Sequence, residues 1–196
     1  SRKVVRNRKK EEIFMKIVTH NKNKYIEYNE KFKEYSIDLE WVNLEYFELQ
    51  ADNLEDVVKF SIGFVKETVA PPFFLEDAGL FIKSLKGFPG PYSSYIQEKI
   101  GNKGILKLMD GIDDRKADFY AVIGYYDGNN INIFKGQVKG KITLEERGKN
   151  GFGYDPIFMP LNSSKTFAEM DIFEKNRFSH RSDAFNKFIS FLKKIQ

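Results

Sequence analysis

A long alternating segment near the middle of the chain restricts its possible folds more than any other feature. The runs ADFYAVIGYYDG (117–128) and NNINIFKGQVKGKIT (129–143) alternate apolar with polar residues on either side of a Gly-Asn-Asn turn. Alternation with a period of two is typical of half-buried strands, and Gly and Asn tolerate the backbone of a tight hairpin turn. The segment therefore predicts a long antiparallel hairpin.

Strand-like and helix-like patterns alternate along the rest of the chain. Short runs rich in apolar and β-branched residues predict strands at 15–19, 37–42, 44–48 and 73–75. Segments with helical spacing predict helices at 24–35, 54–69, 93–100, 104–109 and 182–194. Because strands alternate with helices, we predict one mixed α/β unit with a central sheet and an elongated hairpin lobe.

Composition excludes several kinds of site. The 196 residues include no cysteine and only two histidines, which argues against disulfides, thiolate metal sites and histidine-rich zinc sites. A metal would be held by carboxylates, which favours magnesium, manganese or calcium. No apolar run approaches the roughly 18 residues of a membrane span, and no signal-peptide pattern is present. We therefore expect a soluble, cytoplasmic protein with no membrane partner.

The net charge of +4 lies in the N-terminal stretch. Residues 1–14 hold six basic and two acidic residues, which leaves 26 of each sign in the rest of the chain. Residues 15–196, the predicted single domain, therefore lack the basic excess that binds nucleic-acid phosphates. We interpret 1–14 as a mobile basic extension, or as residues ahead of a true start at Met15; a nucleic-acid-binding arm is the alternative.

Three polar residues stand where the first predicted strand meets the first predicted helix. Thr19, Asn21 and Lys24 form the pattern TxNxxK. A helix N-terminus points unpaired N–H groups and a partial positive charge at whatever lies before it. The three side chains add hydrogen-bond donors, which suits a polyphosphate. An ordinary capped helix with a solvated lysine would show the same pattern.

Acidic residues follow two of the predicted strands. Glu76 and Asp77 come directly after FFL, and Glu48 ends another apolar run. Open α/β sheets place ligands at the carboxyl ends of strands. Neighbouring residues of an extended chain point in opposite directions, so one acid of the adjacent pair is expected to face a cleft. Carboxylates from two strands would chelate one hard divalent cation; solvated or lysine-paired acids are the alternative.

An aromatic loop and a basic cluster are the remaining candidates. In GFGYDP (151–156) two glycines let the backbone approach a flat ligand, and Phe152 or Tyr154 would stack on a base. Potential donors gather just ahead of the last predicted helix: Lys175, His180 and Arg181. A group of donors favours a ligand that offers acceptors, such as a keto-purine edge or a phosphate. Core aromatics and a solvated basic helix start are the alternatives.

Together, in this order and at these spacings, the motifs resemble those of the inosine triphosphate pyrophosphatases, which hydrolyse ITP, dITP and XTP. The resemblance covers essentially everything from Met15 onward. Its motifs are THNKNK (19–24), ELQ (48–50), EDAG (76–79), GFPGPYS (87–93), FGYDP (152–156) and TFAEM, EKN and SHR with Ala184 (166–184). His20 stands where the family has glycine, and Ala78 where it usually has serine or threonine.

The resemblance implies an elongated sheet, two lobes and a nucleotide in the cleft between them. It implies a homodimer that releases a nucleoside monophosphate and pyrophosphate, with no nucleic-acid partner. Mg²⁺, or Mn²⁺ in its place, would be held by Glu48 and Asp77, with Asp77 as the general base. A nucleic-acid-binding module and a pyrophosphatase of other modified nucleotides are the alternative functions.

The resemblance also implies which residues contact the substrate. At the triphosphate they are Thr19, His20, Asn21, Lys24 and Ala78. At the base they are Phe152, Gly153, Tyr154, Asp155, Lys175, His180 and Arg181. Phe152 would stack on the ring, while Lys175, His180, Arg181 and the backbone near Asp155 would read the 6-keto oxygen.

Overall fold

The computed structural model describes residues 14–47 and 49–195 of the chain. The predicted basic extension lies outside the described residues up to Ile13, and so does Glu48. Phe14, the last residue of that predicted extension, is the first residue of a strand. One domain at 15–196 stays a prediction.

In residues 14–47 and 49–195, six strands form one mixed sheet. They are β1 (Phe14–Val18), β2 (Asp38–Val42), β3 (Phe73–Ile82), β4 (Lys116–Tyr126), β5 (Ile131–Ile142) and β6 (Phe158–Pro160). Their order in the sheet is β2-β1-β3-β4-β5-β6. The β1 strand pairs in parallel with β2 and β3, whereas the other neighbours pair antiparallel. The mixed α/β class is therefore confirmed.

Helices cover both faces of this sheet. They are α1 (Lys22–Lys33), α2 (Leu54–Val65), α3 (Ser93–Leu108), α4 (Ile172–Asn176) and α5 (His180–Ile195). Alternate residues of a strand face opposite sides. On β3, Phe74 joins the core under α1 and α5, while Phe73 and Leu75 join the core under α2. In the described part of the chain, no helix is long and apolar enough to cross a membrane.

The hairpin is confirmed and is the longest pairing in the sheet. Strands β4 and β5 pair from Lys116–Lys141 to Tyr126–Ile131. At the turn, the Asp127 carboxylate accepts the N–H groups of the two following asparagines at 2.8 and 2.7 Å. The far halves of β3 and β4 build a separate core with α3 and β6, which gives the molecule its second lobe.

Two predicted strands differ from the structure. Residues 43–47 form no strand; Leu44 and Tyr46 pack against the core under α2, so their alternation reflects a packed loop. The strand predicted at 73–75 continues to Ile82, because β4 pairs with it along ten residues. Glu76 and Asp77 therefore lie in the middle of a strand and not at its end. Since Ile17 pairs with Phe74, they still lie just past the end of β1.

Helix boundaries were predicted to within a few residues, with one consequence for function. The α5 helix begins at His180, two residues earlier than predicted, so His180 and Arg181 belong to its first turn and do not precede it. The α2 helix ends at Val65, short of the predicted residue 69. The α3 helix combines the two predicted helices, with non-helical backbone at Gly101 between them.

Candidate active site

The turn between β1 and α1 forms one end of a cavity. The Asn21 side chain caps α1 by accepting the N–H groups of Asn23 and Lys24 at 3.0 and 3.3 Å. The Thr19 hydroxyl accepts the N–H of Asn21 at 3.0 Å, and the Lys24 ammonium donates to the carbonyl oxygen of Glu76 at 3.0 Å. The helix cap of the alternative interpretation is therefore present, but Lys24 is not simply solvated, and both Thr19 and Lys24 line the cavity.

His20 and Ala78, which depart from the family pattern, line the same end of the cavity. His20 is exposed and its backbone φ is not positive, so this position does not require a glycine conformation. The N–H of Ala78 donates to Oδ1 of Asp77 at 2.9 Å. Neither side chain closes this end of the cavity.

The two adjacent acids have different surroundings. Both are buried, and only Asp77 lines the cavity, as the strand geometry predicted. Oε2 of Glu76 accepts Nε of Arg181 at 2.9 Å, and Oε1 lies 3.9 Å from the Lys24 ammonium. Glu76 therefore binds cations behind the cavity wall. Glu48, which was predicted to hold a metal together with Asp77, lies outside the described residues, and these contain no cluster of three or more metal-ligating side chains.

The first turn of α5 forms the opposite end of the cavity. The helix starts against β5 at Gly136, where a Cβ atom would lie 2.1 Å from the carbonyl oxygen of His180. The buried His180 ring stacks on Phe119 at 4.6 Å between centroids. Burial, reinforced by Arg181 and Lys175, holds the pKa of His180 well below its usual value. The imidazole is therefore neutral at physiological pH.

Glu27 of α1 joins the two predicted basic residues into one buried network. Its Oε1 accepts the Lys175 ammonium at 2.6 Å, and its Oε2 accepts Nη1 of Arg181 at 3.3 Å. Lys175 also donates to Oδ2 of Asp155 at 2.7 Å. The expectation of a cluster made only of donors is therefore wrong: with Glu76, three buried carboxylates surround two cations.

The pKa values reflect this arrangement. Burial would raise the pKa of Glu27, but the two cations beside it, Lys175 and Arg181, outweigh burial and lower it. Burial, together with the negative charge of Glu27, raises the pKa of Asp155, and its one neighbouring cation, Lys175, lowers the pKa too little to compensate. The pKa of Arg181 is raised, since Glu76 and Glu27 overcome the effect of its burial.

The aromatic loop places its two rings differently. The half-buried Phe152 ring lies 5.1 Å from the Lys175 ammonium and 5.1 Å from the Arg181 guanidinium. Tyr154 is buried in the core of the second lobe, and its hydroxyl donates to the carbonyl oxygen of Ser93 at 2.8 Å. Phe152, not Tyr154, is therefore the ring available to a base.

One cavity brings most of the predicted residues together. The predicted residues that line it are Thr19, His20, Asn21, Lys24, Asp77, Ala78, Phe152, Gly153, Tyr154, Asp155, His180 and Arg181. Lys175 lines a second cavity, on the other side of Phe152. Sequence reasoning missed Tyr46, Ser94, Gln97 and Phe119 in the wall, and Glu27 behind it. The sequence pointed to Glu27 as a candidate site residue, since it lies three residues after Lys24 on the same helix.

Comparison with known proteins agrees with the resemblance that the sequence motifs show. The chain matches the model of the Ham1 family over residues 15–191. It is 51% identical over 176 residues to the dITP/XTP pyrophosphatase of Pyrococcus horikoshii; the matched residues are 90% of this chain and 95% of that protein. It is 47% identical over 176 residues to the dITP/XTP pyrophosphatase of Thermococcus kodakarensis, with 90% and 95% covered.

A solved structure shows the same fold. A HAM1 protein from Coxiella burnetii superposes with a TM-score of 0.80 at 26% identity, covering 93% of this chain and 99% of that one. The coverage includes both lobes, so the cavity between them lies in the shared part of the fold.

Proposed function

The chain belongs to the Ham1 family, and from that premise we propose that it hydrolyses dITP, ITP and XTP to a nucleoside monophosphate and pyrophosphate. The observation that carries the proposal is one cavity lined by residues that offer a hydroxyl, an ammonium and a carboxylate at one end and an aromatic ring, an imidazole and a guanidinium at the other. The first set suits a triphosphate and the second a purine.

One end of the cavity, lined by Thr19, Lys24 and Asp77, is called the phosphate end. There Thr19 and Lys24 donate to phosphate oxygens. The Thr19 hydroxyl receives one hydrogen bond, from the N–H of Asn21, and keeps its own hydrogen to donate. The Lys24 ammonium uses one of its three hydrogens on the carbonyl of Glu76. Asn21 holds the turn by capping α1, so its role is to position these two donors.

Asp77 suits a hard divalent cation. Its carboxylate lies in the cavity wall, and the N–H of Ala78 orients it through Oδ1. Mg²⁺ commonly takes one or two carboxylates beside waters and substrate phosphates. Asp77 and Glu48 would hold Mg²⁺ or Mn²⁺. When bound, such an ion would neutralise phosphate charge and lower the pKa of a bound water.

Hydrolysis requires the removal of one proton from water. The Asp77 carboxylate takes that proton as the water oxygen bonds to the α-phosphorus and the bond to the bridging oxygen breaks. Pyrophosphate leaves with the bond's electrons, and the Lys24 ammonium stabilises its charge. Because phosphoryl transfer needs little covalent help, positioning and charge neutralisation supply most of the acceleration.

At the base end, Phe152 stacks on the purine, and His180 and Arg181 read its 6-keto oxygen. Arg181 has five N–H donors, of which two are used by Glu76 and Glu27. A neutral His180 offers one N–H. Lys175 lies 5.1 Å from the Phe152 ring and donates to Glu27 and Asp155, so its role is to hold these two carboxylates behind the base end.

This end of the cavity discriminates against ATP. Adenine presents an amino group where hypoxanthine and xanthine present an oxygen, so the buried donors would lose their acceptor. Leaving a buried donor unpaired costs about 1–3 kcal/mol, and more if it is charged. Sites built on such bonds reject the wrong ligand by about 10⁴-fold.

A panel of nucleoside triphosphates with Mg²⁺ tests the proposal. We expect ITP, dITP and XTP to yield pyrophosphate far faster than ATP, at a metal-dependent rate. Orthophosphate as the first product would place the cleavage at the wrong bond. Equal rates for ATP and ITP would remove the base end from the mechanism. The proposed homodimer is tested separately, by light scattering of the purified protein.

A further inference from the structure

A break inside α3 brings two amide side chains together. Gly101 has φ 60° and ψ −168°, so the helix stops and restarts there. A positive φ of this kind is readily adopted by glycine, which has no Cβ. Gln97 lies one turn before the break and Asn102 directly after it. In an unbroken helix, residues five apart would not share a face.

Both amides donate to one carbonyl oxygen. Nε2 of Gln97 and Nδ2 of Asn102 each lie 3.1 Å from the carbonyl oxygen of Gly153. Gly153 directly follows Phe152, whose ring is proposed to stack on the base. The backbone φ of Gly153 is 60°. The two hydrogen bonds therefore hold the aromatic loop at the residue next to its functional side chain.

The same helix is anchored to β3 at its first residue. The Ser93 hydroxyl accepts the N–H of Leu80 at 2.8 Å and donates to the carbonyl oxygen of Gly90 at 2.7 Å. The carbonyl oxygen of Ser93 accepts the hydroxyl of Tyr154 at 2.8 Å. Hydrogen bonds thus run from the strand that carries Asp77, through α3, to the loop that carries Phe152.

We propose that Gln97 and Asn102 are positioning residues for nucleotide binding, which hold the Gly153 carbonyl and through it set the Phe152 ring at the base end of the cleft. This inference rests on the proposed function. Gln97 itself lines the cavity, whereas Asn102 is buried behind it. Among the described residues, the hydrogen bonds from both amide nitrogens go to Gly153, beside the base end, so we expect their effect to fall on base binding.

The test uses changes that keep the shape of both side chains, remove their N–H donors and add a negative charge. In Gln97→Glu and Asn102→Asp a carboxylate replaces each amide and faces the Gly153 carbonyl without a hydrogen to give. Because the two donors share one acceptor, each single change leaves the other bond in place. We expect KM for ITP to rise less than threefold in each single variant and about tenfold or more in the double variant, while kcat changes less than threefold.

Tripolyphosphate serves as a probe of the phosphate end alone, measured as a competitive inhibitor of ITP hydrolysis. We expect its inhibition constant to be the same in the wild type and in the double variant. The matched control, Glu98→Gln with Lys103→Gln, changes two exposed residues of the same helix. This control should retain the KM of the wild type.

The inference is overturned if the double variant keeps the wild-type KM, or if KM and the inhibition constant rise equally. If the double variant does not fold, Asn102→Ala with Gln97→Ala, which avoids the added charge, is measured in the same way, and its KM decides. Failure of the proposed function is distinct, because it would appear in the wild type as no pyrophosphate release from ITP.

Discussion

The two ends of the cleft are built in contrasting ways. The phosphate end comes mainly from one turn of six residues, Thr19 to Lys24, together with Asp77. The base end joins α1, the aromatic loop, α4 and α5 through Glu27, Asp155, Lys175 and Arg181. Each of these four side chains is at most 6% exposed, whereas the Lys24 side chain is 14% exposed.

This difference shows which end of the cleft has to hold its side chains rigidly. A flexible triphosphate with many equivalent oxygens can be held by a few donors, of which one, Lys24, is partly exposed. Distinguishing an oxygen from an amino group requires donors whose positions cannot adjust, and the buried carboxylates Glu27 and Glu76 fix Arg181 in that way. We therefore expect changes at the phosphate end to affect rate and changes at the base end to affect both selectivity and folding.

The largest expected effect is on rate. Asp77→Asn keeps the shape of the side chain but removes its charge and its capacity as a base. Pyrophosphate release from ITP should fall by about 10⁴-fold, with an unchanged circular dichroism spectrum. Asp118→Asn is the matched control, because Asp118 is a buried acid of the same sheet that does not line the cavity. Substantial turnover by the Asp77 variant would remove this residue from the mechanism.

The next effect is on folding. Glu27→Gln leaves Lys175 and Arg181 without the carboxylate that they share. Breaking a buried ion pair typically costs about 3–5 kcal/mol, and we expect a loss of that size in the free energy of unfolding by urea. Glu30→Gln on the same helix removes only a partly exposed pair with Lys33, worth at most about 1 kcal/mol. Equal losses in the two variants would mean that the buried network does not stabilise the base end.

A smaller effect appears in the pH dependence of stability. Burial lowers the pKa of His180 in the folded state, whereas an unfolded histidine titrates near 6.5. Below that pH the unfolded state binds the extra proton, so the free energy of unfolding should fall by up to about 1.4 kcal/mol per pH unit. In His180→Gln this contribution should be missing between about pH 6.5 and pH 5, and the buried Asp155, whose pKa is raised, contributes to both proteins alike. Identical slopes in both proteins would contradict the depressed pKa.

The smallest effect is expected at the rim of the phosphate end. His20→Gly restores the residue usual in the family, but His20 is exposed and its backbone needs no positive φ. Exposed substitutions usually change free energies by less than about 0.5 kcal/mol, so kcat/KM for ITP should change by no more than about twofold. A tenfold change in either direction would show that this imidazole contacts the triphosphate.

The hairpin, the α/β class and the capped turn between β1 and α1 could be predicted because each depends on residues close together in the chain. The Gly-Asn-Asn turn is flanked by its own strands, and Asn21 caps a helix that starts one residue later. The strand predicted at 44–48 was wrong for its described residues, since alternation does not reveal whether a partner strand lies alongside. The prediction for Glu48 lies outside the described residues.

The sequence by itself determined the order of elements and the chemical types present in the cleft. Only the tertiary structure decided how those groups are paired: that Glu76 binds Arg181, that Glu27 joins Lys175 to Arg181, and that α3 holds the aromatic loop. The physical reason is distance along the chain. Hydrogen-bond partners 50 to 150 residues apart meet only when the sheet and its helices are packed, and no local pattern specifies which buried donor will face which acceptor.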